Sequence, residues 1–386
     1  MKITFLLPGY TWIPSGGYRV VYEHANRLVA RGHEVAVVHP RHLEFYQPPA
    51  VPFLRRLRLA QYSVMELFVR PSIDWQPVDD RVRLLFVPTS DQRYIPDADV
   101  LFATAWHTAR PVIECSRAKG EKCYFIQHYE ACMGPKHLVD ETWRMPMRKV
   151  VVSRWLLEVG RELCGHTLSY VPNGIDHEHY RVMRPIERRR RQIVMMHSPV
   201  DFKGSRDGVA AMQMVKERFP DVPMVLFGTG RRSSWIPKWM TYVRNPPQRQ
   251  IVEELYNNSS IVLSPSLTEG FALPPAEGAA CGCAIVATDS GGIRDFAEQG
   301  VSALLSPPRD PEALANNLCR LLADDDLRIR LAHAANKRIK QFTWERSSDL
   351  LQEFITASAQ PKSPECQLPS CKSESSLMTP VQAEGD

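Results

Sequence analysis

A strand, a glycine pair, a helix and a second strand follow one another between Lys2 and Val38, and this order leaves few folds open. Lys2 to Leu7 is an apolar run that stops at Pro8-Gly9. Gly16-Gly17 then opens a segment in which Val21, Ala25, Leu28 and Val29 fall at i, i+4, i+7 and i+8, one face of a helix. Val35 to Val38 returns to strand character. This unit builds doubly wound α/β sheets, whose ligands collect at the carboxyl ends of the strands. Runs at Leu84 to Val87, Val100 to Ala103, Tyr124 to Ile126 and Val150 to Val152 continue a first sheet. Ile193 to Met196, Met224 to Phe227, Ile261 to Leu263 and Ala284 to Ala287 begin a second. A chain of 386 residues exceeds what one hydrophobic core organises, so two α/β domains are expected.

The stretch from Thr268 to Cys283, TEGFALPPAEGAACGC, places Glu269 and Glu277 eight positions apart around a Gly-Phe turn and a Pro-Pro helix start. Pro275 sits where a first helical turn tolerates a missing N–H. The amides of Gly270, Phe271 and Ala272 then face outward at the positive end of a helix, an anion site by geometry and dipole together. Glu277, about one turn in, can accept from two ribose hydroxyls, and Glu269, before the turn, can orient a sugar ring. Gly16 and Gly17, between a first strand and a first helix, allow close backbone approach to a phosphate or acceptor. Lys203, before Gly204 in a loop after a strand, can neutralise a leaving diphosphate.

These segments resemble retaining nucleotide-sugar glycosyltransferases of family 4, with their Glu-x7-Glu signature. The resemblance covers nearly the whole chain. It also rests on Gly16-Gly17, Gly32-His33-Glu34-Val35, Val171-Pro172-Asn173-Gly174-Ile175-Asp176, Lys203-Gly204, Phe227-Gly228-Thr229-Gly230, Gly291-Gly292 and Phe342-Thr343-Trp344-Glu345. It implies the GT-B architecture, two Rossmann-like domains facing each other across a cleft. Residues 1–176 would form the acceptor-side domain, 177–191 a linker, 192–343 the donor domain and 344–358 a helix crossing back to the first.

The implied reaction moves a sugar from a nucleotide diphosphate-sugar to an acceptor hydroxyl with retention, in glycan, polysaccharide or glycolipid biosynthesis. Lys203 and the amides of Gly270 to Ala272 would hold the diphosphate, Glu277 the ribose and Glu269 the sugar. The base would rest near Val243 and Arg244, before a helix beginning around Gln250. The family often carries an Arg six residues before the lysine, where this chain has His197. His128, after the strand Tyr124 to Ile126, matches a family histidine near the sugar, although a histidine at a strand end equally serves structure; His107 is a rival. No clear nucleophile is present, so a front-face departure of the diphosphate is the expected route. Neither a metal nor a cofactor is implied, the nucleotide sugar being a co-substrate. A nucleotide-sugar epimerase of related fold and a silent nucleotide-sugar-binding scaffold stand as alternatives.

Composition bounds the partners. The net charge of +5 is small and its Arg and Lys are spread over both halves, so nucleic acid is not an expected partner. The nine cysteines form no C-x-x-C pair and no zinc spacing, which leaves Cys281 and Cys283 as small residues at a helix end and fits a reducing cytoplasm. No apolar run is long enough for a signal core or a membrane span, so the expectation is a chain neither exported nor membrane-spanning. Asp324, Asp325 and Asp326 read as a solvated helix start, and the Arg188 to Arg191 run as a solvated linker face. Val51 to Arg70 mixes Phe53, Leu54, Leu57 and Leu59 with Arg55, Arg56, Arg58 and Arg70, which suits an anionic membrane surface, a lid or an ordinary amphipathic helix. From Ala359 onward (359–386) the composition predicts disorder.

Overall fold

Among the described residues the first sheet has seven parallel strands in the order β3-β2-β1-β4-β5-β6-β7. They are β1 (Lys2–Leu6), β2 (Glu34–His42), β3 (Arg83–Thr89), β4 (Val100–Ala103), β5 (Glu121–Ile126), β6 (Arg148–Val151) and β7 (Ser169–Tyr170). The computed structural model describes residues 1–42, 72–165 and 168–357. The readings made for residues 51–70 and 359–386 lie outside the described residues. Ile3 pairs with Val35 and Phe5 with Val37, and all four are buried, as parallel strands covered on both faces require. Helix α1 (Gly16–Ala30) follows β1 and buries Val21, Ala25, Leu28 and Val29. Among the described residues the other α-helices of this half are α2 (Trp106–Ile113), α3 (Lys136–Arg144) and α4 (Arg154–Cys164).

The second sheet has six parallel strands in the order β10-β9-β8-β11-β12-β13. They are β8 (Arg190–Met196), β9 (Met224–Gly228), β10 (Thr241–Arg244), β11 (Ser259–Ser264), β12 (Ala284–Thr288) and β13 (Ala303–Ser306). Helices α5 (Ser205–Arg218), α6 (Leu273–Ala280), α7 (Pro311–Ala323) and α8 (Asp325–Ile339) accompany them. Strand order reverses between β1 and β4 in one sheet and between β8 and β11 in the other. Those two crevices are where doubly wound sheets bind ligands.

Helix α9 (Trp344–Thr356) lies against the first half of the chain. The amide of Ile175 donates to the Phe342 carbonyl at 2.9 Å. A Cβ on Gly174 would meet the Trp344 nitrogen at 2.3 Å, so the segment packed against the start of α9 admits only glycine at 174. Arg27 of α1 and Arg31, which caps its end, pair with Glu345 at 3.1 Å and Asp349 at 2.5 Å. A second tie is Asp295, 3% exposed, which accepts from the Arg154 amide at the start of α4 and from the Tyr170 hydroxyl at 2.6 Å.

Asp324 caps α8 by accepting from the Leu327 amide, and Asp325 pairs with Arg191 and Arg328, so the acidic triplet is a helix start as read. Arg188, Arg190 and Arg191 of the arginine run are exposed, as read, and Arg189 is not. Arg190 and Arg191 begin β8, and Arg189 turns inward, 7% exposed, donating to the carbonyls of Tyr256, Ser259, Arg184 and Cys281. Bonding these carbonyls offsets the cost of burying the charge. Among the described residues no helix is long and apolar enough to cross a membrane.

Candidate active site

Strand ends at both reversal points supply the site. Gly16 and Gly17 follow β1, Lys203 follows β8 and Glu269 follows β11; His128 joins them from the end of β5. Lys203 ends a tight turn (Asp201–Lys203) closed by Gly204 at φ 60°, where a Cβ would lie 2.0 Å from the Pro265 carbonyl oxygen. The turn aims its ammonium at Glu269, donating to Oε1 at 2.7 Å and Oε2 at 3.0 Å. Burial works to raise the Glu269 carboxyl, but the Lys203 charge and hydrogen bonds bring it below the usual range.

His128 lies with Nδ1 2.9 Å from the Tyr129 carbonyl oxygen and Nε2 3.3 Å from that of Thr268. Burial lowers its pKa despite the nearby Glu269, so the ring is neutral near pH 7 and donates to one of the two carbonyls. His107 lies on α2, its ring edge-on to Trp106, and burial pushes its pKa down to about 4.

The turn after Glu269 is wedged against the first sheet. A Cβ on Gly270 would meet the Gln127 carbonyl oxygen at 1.7 Å, and one on Gly292 the Gly270 carbonyl oxygen at 2.0 Å. Gln127 also donates to the Gly17 carbonyl at 3.1 Å, while Gly16 faces the Leu273 side chain. Within the described residues the amides of Gly270, Phe271 and Ala272 donate no hydrogen bond, and α6 has no side-chain cap. Ala272, which starts the helix, sits at φ 69° and ψ 65°, a left-handed conformation that costs an alanine about 1–2 kcal/mol. Strain of this kind gathers where backbone donors are aimed for a purpose.

Glu277 projects from α6 and is 9% exposed. Its Oε1 accepts from Nη1 of Arg19 at 2.7 Å, across the cleft, and the same Nη1 lies 3.3 Å from the Tyr180 hydroxyl. Burial pushes the Glu277 carboxyl up, with Arg19 and Tyr180 opposing it. The carboxyl end of α6 is gripped by Asn336, which donates to the carbonyls of Ala279 and Ala280, and by Arg189 on the Cys281 carbonyl.

The structure thus brings together Gly16, Gly17, His128, Lys203, Glu269, Gly270, Phe271, Ala272 and Glu277. It leaves Val243 and Arg244 apart, at the end of the edge strand β10, two strands from β8. His197, at the end of β8, is 4% exposed, with Nε2 3.3 Å from Ser233 Oγ and edge-on rings of Trp235 and Tyr242 around it. Arg19, Tyr180 and Gln127 escaped the sequence reading. For Arg19 a signal existed: a cation in the first turn of a helix opposes the helix dipole and calls for an explanation.

Comparison with known proteins bears on the family and the fold. Residues 191–324 match the family described as glycosyl transferases group 1. A D-inositol 3-phosphate glycosyltransferase of Corynebacterium urealyticum is 32% identical over 168 residues, 39% of this chain and 39% of that relative's own length. Sucrose-phosphate synthase of Thermosynechococcus elongatus superposes with a TM-score of 0.70 at 14% identity, over 93% of this chain and 99% of that one. HepE of Anabaena, solved with UDP-glucose, superposes at 0.66 with 16% identity, over 92% and 100%. The fold is GT-B, two Rossmann-like sheets with their carboxyl edges facing.

Proposed function

We propose, for a chain whose residues 191–324 match the family described as glycosyl transferases group 1, transfer of a sugar from a nucleotide diphosphate-sugar to an acceptor hydroxyl, with retention of anomeric configuration. One observation carries the reading: the Lys203–Glu269 pair lies at the foot of three unengaged amides that open α6, with Glu277 one turn further on. A cation, a helix start and two carboxylates in that order fit a diphosphate flanked by a sugar and a ribose.

In the reaction so written, the bond between the anomeric carbon and the diphosphate oxygen breaks and the electron pair leaves with the diphosphate. The acceptor oxygen bonds to the same face of that carbon, and its proton passes to the departing phosphate oxygen. Lys203 and the amides of Gly270, Phe271 and Ala272 stabilise the charge that develops on the leaving group. Glu269 holds sugar hydroxyls, Glu277 holds the ribose, and neutral His128 faces the sugar from the opposite sheet. Gly16 and Gly17 let backbone approach from the same side, and the base reaches toward Val243 and Arg244. The nucleotide sugar is a co-substrate, and the scheme uses no cofactor or metal. We assign the work to the cytoplasm, on a sugar, lipid-linked or other hydroxyl acceptor, with peripheral contact to an anionic membrane where the acceptor is a lipid.

HepE's complex with UDP-glucose puts UDP-sugars first in the test, followed by GDP- and ADP-sugars, each with and without an acceptor panel. The expected result is nucleoside diphosphate release coupled to a glycosylated acceptor whose anomeric configuration, read by NMR, matches the donor. Isomerised sugar from donor alone would replace this reading with an epimerase. Binding without any turnover would replace it with a scaffold.

A further inference from the structure

Each glutamate of the signature holds one cation, and the two cations come from opposite sides of the cleft. Lys203, on the same half as Glu269, holds that carboxylate, while Arg19, in the first turn of α1, reaches over to Glu277. We propose that Arg19 is a donor-binding residue: when a nucleotide sugar enters, its ribose takes Glu277 and Arg19 turns to the diphosphate as the second cation beside Lys203. This rests on the nucleotide-sugar reading above and adds to it a residue and an exchange of partners.

The donor sets the need. A nucleotide diphosphate-sugar carries two negative charges on adjacent phosphates, and Lys203 answers one. The position from which a second cation would be sought on this half is His197, and it holds none. Its ring is buried between Trp235 and Tyr242, and burial keeps it neutral.

Arg19 has the capacity that His197 lacks. Of its five N–H donors, the hydrogen bonds to Glu277 and Tyr180 both come from Nη1. Its Nε is buried without a hydrogen-bond partner. Glu23 stands 3.9 Å from that Nε, beyond hydrogen-bond reach, and is itself held by Arg27 at 2.6 Å and Gln76 at 2.9 Å. A guanidinium fork with a buried idle donor matches a phosphate's paired oxygens. The dipole of α1 disfavours a cation in its first turn, and an anion bound there removes the conflict. The exchange also leaves no charge stranded, because ribose hydroxyls donate to the Glu277 oxygen that Arg19 gives up.

The test compares each nucleoside diphosphate with its own nucleoside: UDP with uridine, GDP with guanosine and ADP with adenosine, by calorimetry on the full chain. The ratio of the two affinities isolates the phosphate contribution. Arg19→Ala should cut that ratio by roughly tenfold to a hundredfold, the usual range for a charged hydrogen bond, while nucleoside affinity stays level or rises because Glu277 is released. Arg19→Gln, which keeps a donor for Glu277 and so protects the fold, should show the same loss. An unchanged ratio in either variant, or equal tightening of diphosphate and nucleoside, would overturn the inference and leave Arg19 as a clamp on Glu277. A wild-type chain that binds none of the three diphosphates would overturn the nucleotide-sugar reading, and this inference with it.

Discussion

Removing the Lys203 ammonium does two things at once, because the carboxylate it holds is 7% exposed. The first effect is on the barrier: loss of a positioned charge at the leaving group should cost about 2.7–4 kcal/mol, a hundred- to thousandfold in turnover. The second is on stability, since a buried carboxylate stripped of its partner is costly. The Lys203 side chain is 23% exposed, so water screens part of that cost and about 2 kcal/mol is the expected loss. Lys203→Met should therefore lower both melting temperature and turnover. Adding Glu269→Gln should restore the melting temperature and not the turnover. Wild-type turnover in Lys203→Met would remove the lysine from the chemistry. Glu277 separates differently, because a ribose contact serves binding before it serves the transition state. Glu277→Ala should weaken UDP binding in calorimetry by roughly tenfold, the low end for a charged hydrogen bond, and normal affinity would dismiss the ribose role.

At the scale of an element, the start of α6 is set by two backbone constraints that act in opposite directions. Ala272 is strained at φ 69°, a conformation glycine adopts freely, so Ala272→Gly should raise stability by about 0.5–1 kcal/mol. A denaturation midpoint that falls instead would show that the alanine methyl contributes more than the strain removes. Gly270 admits no side chain, because a Cβ would overlap the Gln127 carbonyl oxygen of the opposite sheet. Gly270→Ala should push the two sheets apart, which small-angle scattering would read as a larger radius of gyration, and should abolish turnover. An unchanged radius with full activity would mean that the wedge relaxes locally.

The same element shows what the sequence made legible. The Glu-x7-Glu spacing, the proline-marked helix start and the strand before it were visible because each has its own local pattern. Strands β7, β10 and β13 were not: β7 is only two residues long, and β10 and β13 are edge strands, β10 without a buried residue. Arg189 and Arg19 were misread or missed for a different reason. Their roles are set by carbonyls and a carboxylate far away in sequence, and no local pattern encodes a partner 258 positions distant. Lys203 and Glu269 were each assigned to a ligand, and the structure adds that they hold each other.

For the whole molecule, the return of α9 to the first half makes stability depend on a histidine far from the chemistry. His24 of α1 is fully buried against Trp344 and Phe125, with Nδ1 3.1 Å from Ser348 Oγ and Nε2 3.4 Å from Ser347 Oγ. Ser347 in turn donates to the Pro172 carbonyl, so this contact joins α1, α9 and the turn at Pro172. Burial, with Arg27 and Arg31 adding to it, pushes the His24 pKa down to about 3. The unfolded chain takes up that proton near pH 6.5, whereas the folded one does so only near pH 3. Between those values the unfolded state binds more protons, and stability falls as pH falls. His39 and His107, both pushed down to about 4 by burial, act in the same direction. Lowering the pH from 7.5 to 4.5 should therefore cost the His24 site roughly 2–3 kcal/mol. His24→Gln carries no titrating ring, so its urea midpoint should fall less over the same interval, by an amount matching that figure. Parallel curves for the wild type and His24→Gln would show that His24 titrates as it does in water and that α9 is held by its salt bridges and aromatic contacts alone.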